Sequence, residues 1–207
     1  MDFRPADASQ LKALDILERV KSVFATKGFD GASMQDLAQA AQMSVGNFYR
    51  YFPSKNAIIT ALIELDLKEI EAAFQMVQSS ETPRATFLDC LAERIENLPI
   101  EEAALWTEMQ AASFRVPEIA ELKRNMEETV RSNVVAALMR IHGCNTQADM
   151  ARFQTLAHFM MLMIHGFAQR KYCSRELADD AATAALARMV LDTIDKTLFA
   201  PVATPNA

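Results

Sequence analysis

Glycine is scarce in this chain: five of its 207 residues, set against abundant alanine, leucine, methionine and glutamate. A sequence so poor in the residue that weakens helices, and so rich in those that favour them, is expected to be mostly helical. Cysteine is scarcer still, and Cys90, Cys144 and Cys173 stand at no metal-ligand spacing. Three cysteines behind no secretory signal fit a reducing cytoplasm, and they are read as buried or idle thiols. No charged start followed by an apolar run and a cleavage site is seen. The most apolar run, Phe159 to Ile164, is flanked by His158 and His165 and falls far short of a membrane span. No His/Asp/Glu cluster argues for a metal, and no cofactor is expected. A helical enzyme would need a nucleophile with its base, or a carboxylate pair, at a telling spacing, and none is found.

Positive charge is lacking too, with a formal net charge of −6. The deficit is uneven. Residues 1–55 carry seven Lys+Arg against six Asp+Glu, which leaves 14 against 21 for the rest. The N-terminal MDFRPADAS offers a single basic residue, Arg4.

What is present is a 51% hydrophobic fraction, ample for a core, arranged as nine helices. The first is expected from about Ser9 to Lys27, with Gly28 as its C-terminal stop and Ile16, Val20 and Phe24 inward. The fourth runs from Ser54 to about Ser79. The fifth starts at Thr82-Pro83, with proline at the first position, and reaches about Asn97. Pro99 breaks the chain, and a sixth helix covers Glu101 to Phe114. Pro117 opens the seventh, which ends near His142 with Gly143 behind it. The eighth runs from about Gln147 to Cys173. The ninth begins after Ser174 and reaches Phe199, and PVATPNA frays.

The second and third helices lie in the stretch SMQDLAQAAQMSVGNFYRYFPSK, Ser33 to Lys55. Ser33 is a good N-cap, and Asp36 sits where the acidic end of a capping box belongs. Leu37, Ala38 and Ala41 put small apolar groups on one face, which lets a second helix approach. Ser44 caps the next helix, which must be short because Phe52-Pro53 ends it. Phe48 and Phe52, four apart, face inward, leaving Val45, Gly46, Asn47, Tyr49 and Arg50 mostly outside. Ser54 caps the fourth helix. Lys55 follows in its first turn, where the helix dipole disfavours a cation but an incoming phosphate would suit it. This is the sequence form of a helix-turn-helix DNA reader.

At these residues the chain resembles the TetR family, the tetracycline-repressor-like bacterial regulators. The resemblance spans Ile16 to about Leu65 and rests on VFATKGFDGAS, LAQAAQMS, GNFYRYF and PSK in that order. It implies an all-α fold. A three-helix DNA-binding domain would occupy 1–55 and continue into the fourth helix to about 65. A helical ligand-binding and dimerisation domain would occupy 56–207. It further implies that Gln35, Val45, Gly46, Asn47 and Tyr49 face base edges and that Ser33, Arg50, Tyr51 and Lys55 meet phosphates. The chemistry agrees in part. Asn47 and Gln35 can pair with adenine, and Val45 can touch a thymine methyl. Ser33 is a cap in any case, and Tyr51 could instead pack against the fourth helix. One departure stands in the turn, where Gln42 replaces the family's usual glycine. A left-handed conformation there costs roughly 1–2 kcal/mol for a residue with a Cβ.

The resemblance also implies a ligand pocket among the fifth to eighth helices, coupled to the reader through the fourth and sixth. Trp106, Met109, Phe114, Met126, Met160, Met163 and Phe167 are candidates to line it, since flexible methionine suits adaptable apolar sites. The same residues can equally be plain core. His158 and His165, seven apart on one helix face, are polar candidates, and Glu108 and Arg115 are alternatives. The last two helices are expected to build a homodimer, as in the family. Their small-residue-rich faces run through Phe153, Leu156, Ala157, Met160, Met161, Ile164, Gly166 and Phe167, and through Leu177, Ala181, Ala185, Met189 and Leu191. A dimer would space two recognition helices about 34–36 Å apart, as successive major grooves require. The reading is a cytoplasmic, ligand-responsive repressor on a palindromic operator, with no enzymatic activity. The alternative is a helical protein-interaction regulator without a small-molecule ligand.

Overall fold

The computed structural model describes residues 8–144, 146–173 and 180–200. Arg4, Ser174, Leu177 and the closing PVATPNA lie outside the described residues. Among the described residues there are nine α-helices and no strand. They are α1 (Ala8–Gly31), α2 (Met34–Ala40), α3 (Val45–Tyr51), α4 (Lys55–Ser79), α5 (Pro83–Glu96), α6 (Ile100–Ser113), α7 (Pro117–His142), α8 (Gln147–Cys173) and α9 (Asp180–Leu198). The all-helical expectation holds, and the sequence signals explain most ends. Gly28, at φ 68 and ψ 171, breaks the helical path of α1, and a last turn carries on to Gly31. Pro83 occupies the first turn of α5. Gly143 has φ +64 behind α7.

The chain forms two compact units. The first takes residues up to Asp66 together with Glu101–Asn125, and the second takes Leu67–Ile100 and Met126 onward. Helices α4 and α7 therefore run through both. The sequence reading divides the chain near residue 65, whereas the structure groups α6 and the start of α7 with the reader. Long-range bonds within the first unit account for this. Glu108 on α6 accepts from the Phe29 N–H at 3.2 Å, and Arg115, just past α6, pairs with Asp30 at 3.0 Å.

In the first unit Ile16, Val20 and Phe24 are fully buried, as their spacing predicts. Phe29 meets Phe24 edge-on at 5.0 Å, and Phe48 meets Phe52 at 6.0 Å. In the second unit α9 packs against α8 and α5. One cluster gathers Val77, Phe87, Leu91 and Ile95 with Val134, Leu138, Phe153, Ala157, Met160 and Phe167. α9 adds Ala187, Val190, Ile194 and Leu198 at intervals of three and four, the signature of one helix face. Phe199 closes this core. Its ring lies 6.1 Å from Phe87 and is stacked 5.7 Å from His142, and the Arg84 guanidinium sits 4.6 Å above it. Arg84 is held in turn by Asp195 at 2.9 Å.

Burial of this kind makes the second unit sensitive to lost volume. Phe153 has no exposed surface, so Phe153→Ala is expected to cost about 3–5 kcal/mol. Urea unfolding followed by circular dichroism measures it, and a loss below about 1 kcal/mol would contradict the packing described.

Candidate nucleic-acid interface

The reader consists of two seven-residue helices whose ends are all accounted for. Ser33 is extended at φ −93 and ψ 156, and its hydroxyl accepts from the Asp36 N–H at 3.1 Å. Asp36 returns the bond by accepting from the Ser33 N–H at 2.9 Å. The predicted capping box is therefore present. Lys27 on α1 adds an ion pair to Asp36 at 2.6 Å. The Lys27 ammonium first, and the Ser33 donors next, hold the Asp36 carboxyl well below the ordinary carboxylate range.

At the other end of α2, Gln42 has φ 56, the left-handed conformation that glycine would adopt without cost. The Met43 N–H donates to the Ala38 carbonyl at 2.9 Å and the Gln42 N–H to the Gln39 carbonyl at 3.0 Å. That pair of bonds is a Schellman motif with glutamine in glycine's place. The turn is formed in full, and the strain stays on one residue. Ser44 then caps α3 by accepting from the Asn47 N–H at 3.4 Å. Phe52 is extended at φ −135 and ψ 105, as the following Pro53 demands. Ser54 opens α4 by accepting from the Ala57 N–H at 3.2 Å.

These ends orient the side chains. Phe48 and Phe52 are buried. Ser33, Gln35, Val45, Gly46, Asn47, Tyr49 and Arg50 are exposed, while Tyr51 and Lys55 are half-buried. A Cβ built at Gly46 meets nothing within 4 Å, so the protein leaves that surface open. Lys55 is engaged by the protein itself. Its Nζ donates to the Phe29 carbonyl at 2.7 Å and to the Asp30 carbonyl at 3.2 Å. An ammonium has three N–H donors, so one remains for a phosphate. Nothing in the local sequence announces these bonds, because they join residues 26 and 25 positions apart.

The candidate effector residues are placed unevenly. In the first unit Met109 is buried and Trp106 half-buried, while Phe114 is 81% exposed. In the second unit Met126 is buried. Met160 and Phe167 belong to the core cluster, and Met163 packs against it. His165 is half-buried and His158 exposed. Glu108 and Arg115, the alternative polar anchors, are committed to the end of α1. Burial raises the Cys90 and Cys144 thiols above their usual range, whereas Cys173 is exposed. Among the described residues no His, Cys, Asp or Glu group is placed to hold a metal. No helix there is long and apolar enough to cross a membrane.

The strained turn generates a test. Gln42→Gly is expected to stabilise the protein by about 1 kcal/mol by removing the Cβ penalty. Thermal melts should show a higher Tm, and an unchanged or lower Tm would mean that Gln42 is not left-handed in solution.

Comparison with known proteins agrees with this geometry. Residues 16–62 match the model of bacterial regulatory proteins of the tetR family. Residues 81–195 match the C-terminal model of the BetI-type transcriptional repressor. The HTH-type transcriptional regulator UidR of Escherichia coli (strain K12) is 31% identical over 128 residues, 60% of this chain. The match spans 63% of UidR, less than two thirds of its length. YfiR of Bacillus subtilis (strain 168), an uncharacterized HTH-type transcriptional regulator, is 28% identical over 193 residues, 87% of this chain and 90% of its own. Among solved structures, Salmonella enterica GusR shares the fold at a TM-score of 0.73 and 22% identity, covering 94% of this chain and 99% of its own. A TetR-family transcriptional regulator from Cytophaga hutchinsonii does so at 0.67 and 16%, covering 94% and 98%. With a capped helix-turn-helix at its N-terminus and family models matched along most of its length, the chain belongs to the TetR family of bacterial regulatory proteins.

Proposed function

We propose that this regulator is a repressor that binds a palindromic operator as a homodimer and is released by a small, largely apolar effector. The observation that carries the DNA half is the outer face of α3. Val45, Gly46, Asn47 and Tyr49 are exposed together on a short helix whose inner residue, Phe48, has no exposed surface. These side chains suit base edges. Gln35 joins them from α2, and Ser33, Arg50, Tyr51 and the spare donor of Lys55 take the phosphates. Residues 1–55 have only one more basic than acidic residue, seven against six. One reader alone is thus weakly attractive to DNA, and two acting together supply the affinity.

The match of residues 81–195 to a repressor model supports the sign of the output. The abundance of methionine, 12 residues, supports an adaptable apolar effector site. Met126, Met160, Met163 and Phe167, all of the second unit, are its proposed lining, with His158 and His165 for polar groups. Phe114 drops out because it stands in solvent. The effector need only favour a dimer in which the two readers are mis-spaced. A preference of about 1–3 kcal/mol shifts operator binding by roughly 5- to 150-fold.

For the dimer, the outward faces of α8 and α9 are the proposed surface. Leu162 and Met189 are 68% and 67% exposed. Gly166, Ala181 and Ala185, also exposed, keep the neighbouring surface low. Phe153, Ala157, Met160 and Phe167 are buried instead and do not reach that surface.

Selection of bound duplexes from a random pool, followed by a salt series on the winner, tests the reading. A palindrome with half-sites about one helical turn apart, or a multiple of it, is expected. Enrichment of no sequence would count against it. Stabilisation against heat by members of a panel of apolar small molecules tests the effector, and a protein indifferent to all of them would favour a regulator that answers to a protein partner.

Two substitutions separate binding from folding. Tyr49→Ala should abolish operator binding in gel-shift assays while leaving the dimer intact. Gly46→Ala should leave the fold as stable or more so, by up to about 1 kcal/mol, and weaken operator binding at least about tenfold. Loss of the dimer in either variant would contradict the outward placement of α3. Leu162→Glu combined with Met189→Glu should yield monomers in sedimentation experiments. A persisting dimer would move the interface elsewhere.

A further inference from the structure

The C-terminal corner of α1 is gripped from two directions at one residue. Glu108, on α6, accepts from the Phe29 N–H through Oε2 at 3.2 Å. Lys55, the first residue of α4, donates to the Phe29 carbonyl at 2.7 Å and to the Asp30 carbonyl at 3.2 Å. Phe29 is a firm pivot between them. Its side chain is 4% exposed and lies edge-on to Phe24 at 5.0 Å. Gly28 makes room for the carboxylate, because a Cβ there would sit 2.7 Å from Glu108 Oε2.

The break at Gly28 starts a new turn, in which the Ala32 N–H donates to the Gly28 carbonyl at 3.2 Å. The Phe29 N–H at the head of that turn has no partner within it, and a carboxylate suits such a donor. The carbonyls of Phe29 and Asp30 suit a cation, and Lys55 supplies it. Glu108 and Lys55 thus hold the N–H and the C=O of the same residue.

We propose that Glu108 is a positioning residue for operator binding: by fixing Phe29 it aims the spare Lys55 N–H at a DNA phosphate. The proposal rests on Lys55 being a phosphate contact, as read under Proposed function. The Glu108 bond, at 3.2 Å, lies within the ordinary N–H···O range.

The test uses the full-length protein and the palindromic duplex recovered by selection. The salt dependence of binding is measured for the wild type, Lys55→Ala, Glu108→Ala, Glu108→Gln, Gly28→Ala and the Lys55→Ala/Glu108→Ala double variant, with thermal melts alongside. Each lost phosphate contact lowers the slope of log K against log salt by about 0.9, hence about 1.8 for two protomers. Lys55→Ala and Glu108→Ala should each show that drop, the double variant no more, and Glu108→Gln should recover because an amide oxygen still accepts. Gly28→Ala, which displaces the carboxylate without removing it, should behave as Glu108→Ala does. A merely structural Glu108 would lower the melting temperature and leave the slope alone, which overturns the proposal. A full slope in Gly28→Ala overturns it as well. If Lys55→Ala itself keeps the wild-type slope, the phosphate reading of Lys55 fails, and the proposal fails with it.

Discussion

A seven-residue helix is barely stable alone, and the DNA reader is made of two. Helix nucleation is costly, and the first four N–H and last four C=O groups of any helix lack partners within it. In α2 and α3 that is most of the backbone. The reader therefore depends on what satisfies those ends: the Ser33–Asp36 box, the Schellman turn at Gln42, the Ser44 cap and the extended Phe52. Burial of Leu37, Ala38, Phe48 and Phe52 supplies the rest of the stabilisation. Once the ends are fixed, the outward direction of Val45, Asn47 and Tyr49 follows from helical geometry.

The same dependence explains why the reader reaches beyond itself. Lys27 steadies Asp36, and Lys55 satisfies two carbonyls at the end of α1. Glu108 and Arg115 bring α6 to that corner. The ion pairs are exposed, with Arg115 and Asp30 58% and 77% accessible, and pairs of that kind stabilise little. Their value lies in geometry. Together with the bonds of Lys55 and Glu108, they fix the corner at which the proposed phosphate contact stands. In the second unit the balance reverses, and the core from Val77 to Leu198 is held by apolar packing, with Phe199 clamped among Phe87, His142 and Arg84.

The helices were legible because their signals are local. Ser33, Ser44, Pro83, Pro117 and the glycines at 28 and 143 each mark an end through their own backbone preference, and Ile16, Val20 and Phe24 mark a face by spacing alone. The left-handed Gln42 could be anticipated for the same reason, since the turn requires that conformation whichever residue occupies it. The apolar faces of α8 and α9 were harder to read. Both sides of α8 carry apolar groups, so periodicity could not tell Met160, which faces the core, from Leu162, which faces solvent. Composition alone groups Phe114 with the effector candidates, and its 81% exposure places it in solvent.

The sequence by itself determined the helical elements, the capped reader and the residues on its outer face, because caps, prolines and helical spacing act within a few residues. Only the tertiary structure decided which apolar faces are inward. It alone committed Lys55 and Glu108 to Phe29 and gathered α6 into the reader's unit. Those outcomes depend on pairs such as Glu108 with Phe29, 79 positions apart. Coulomb attraction and hydrogen bonding act through space, and a carboxylate leaves no trace in its neighbours' sequence of the amide it will meet after folding.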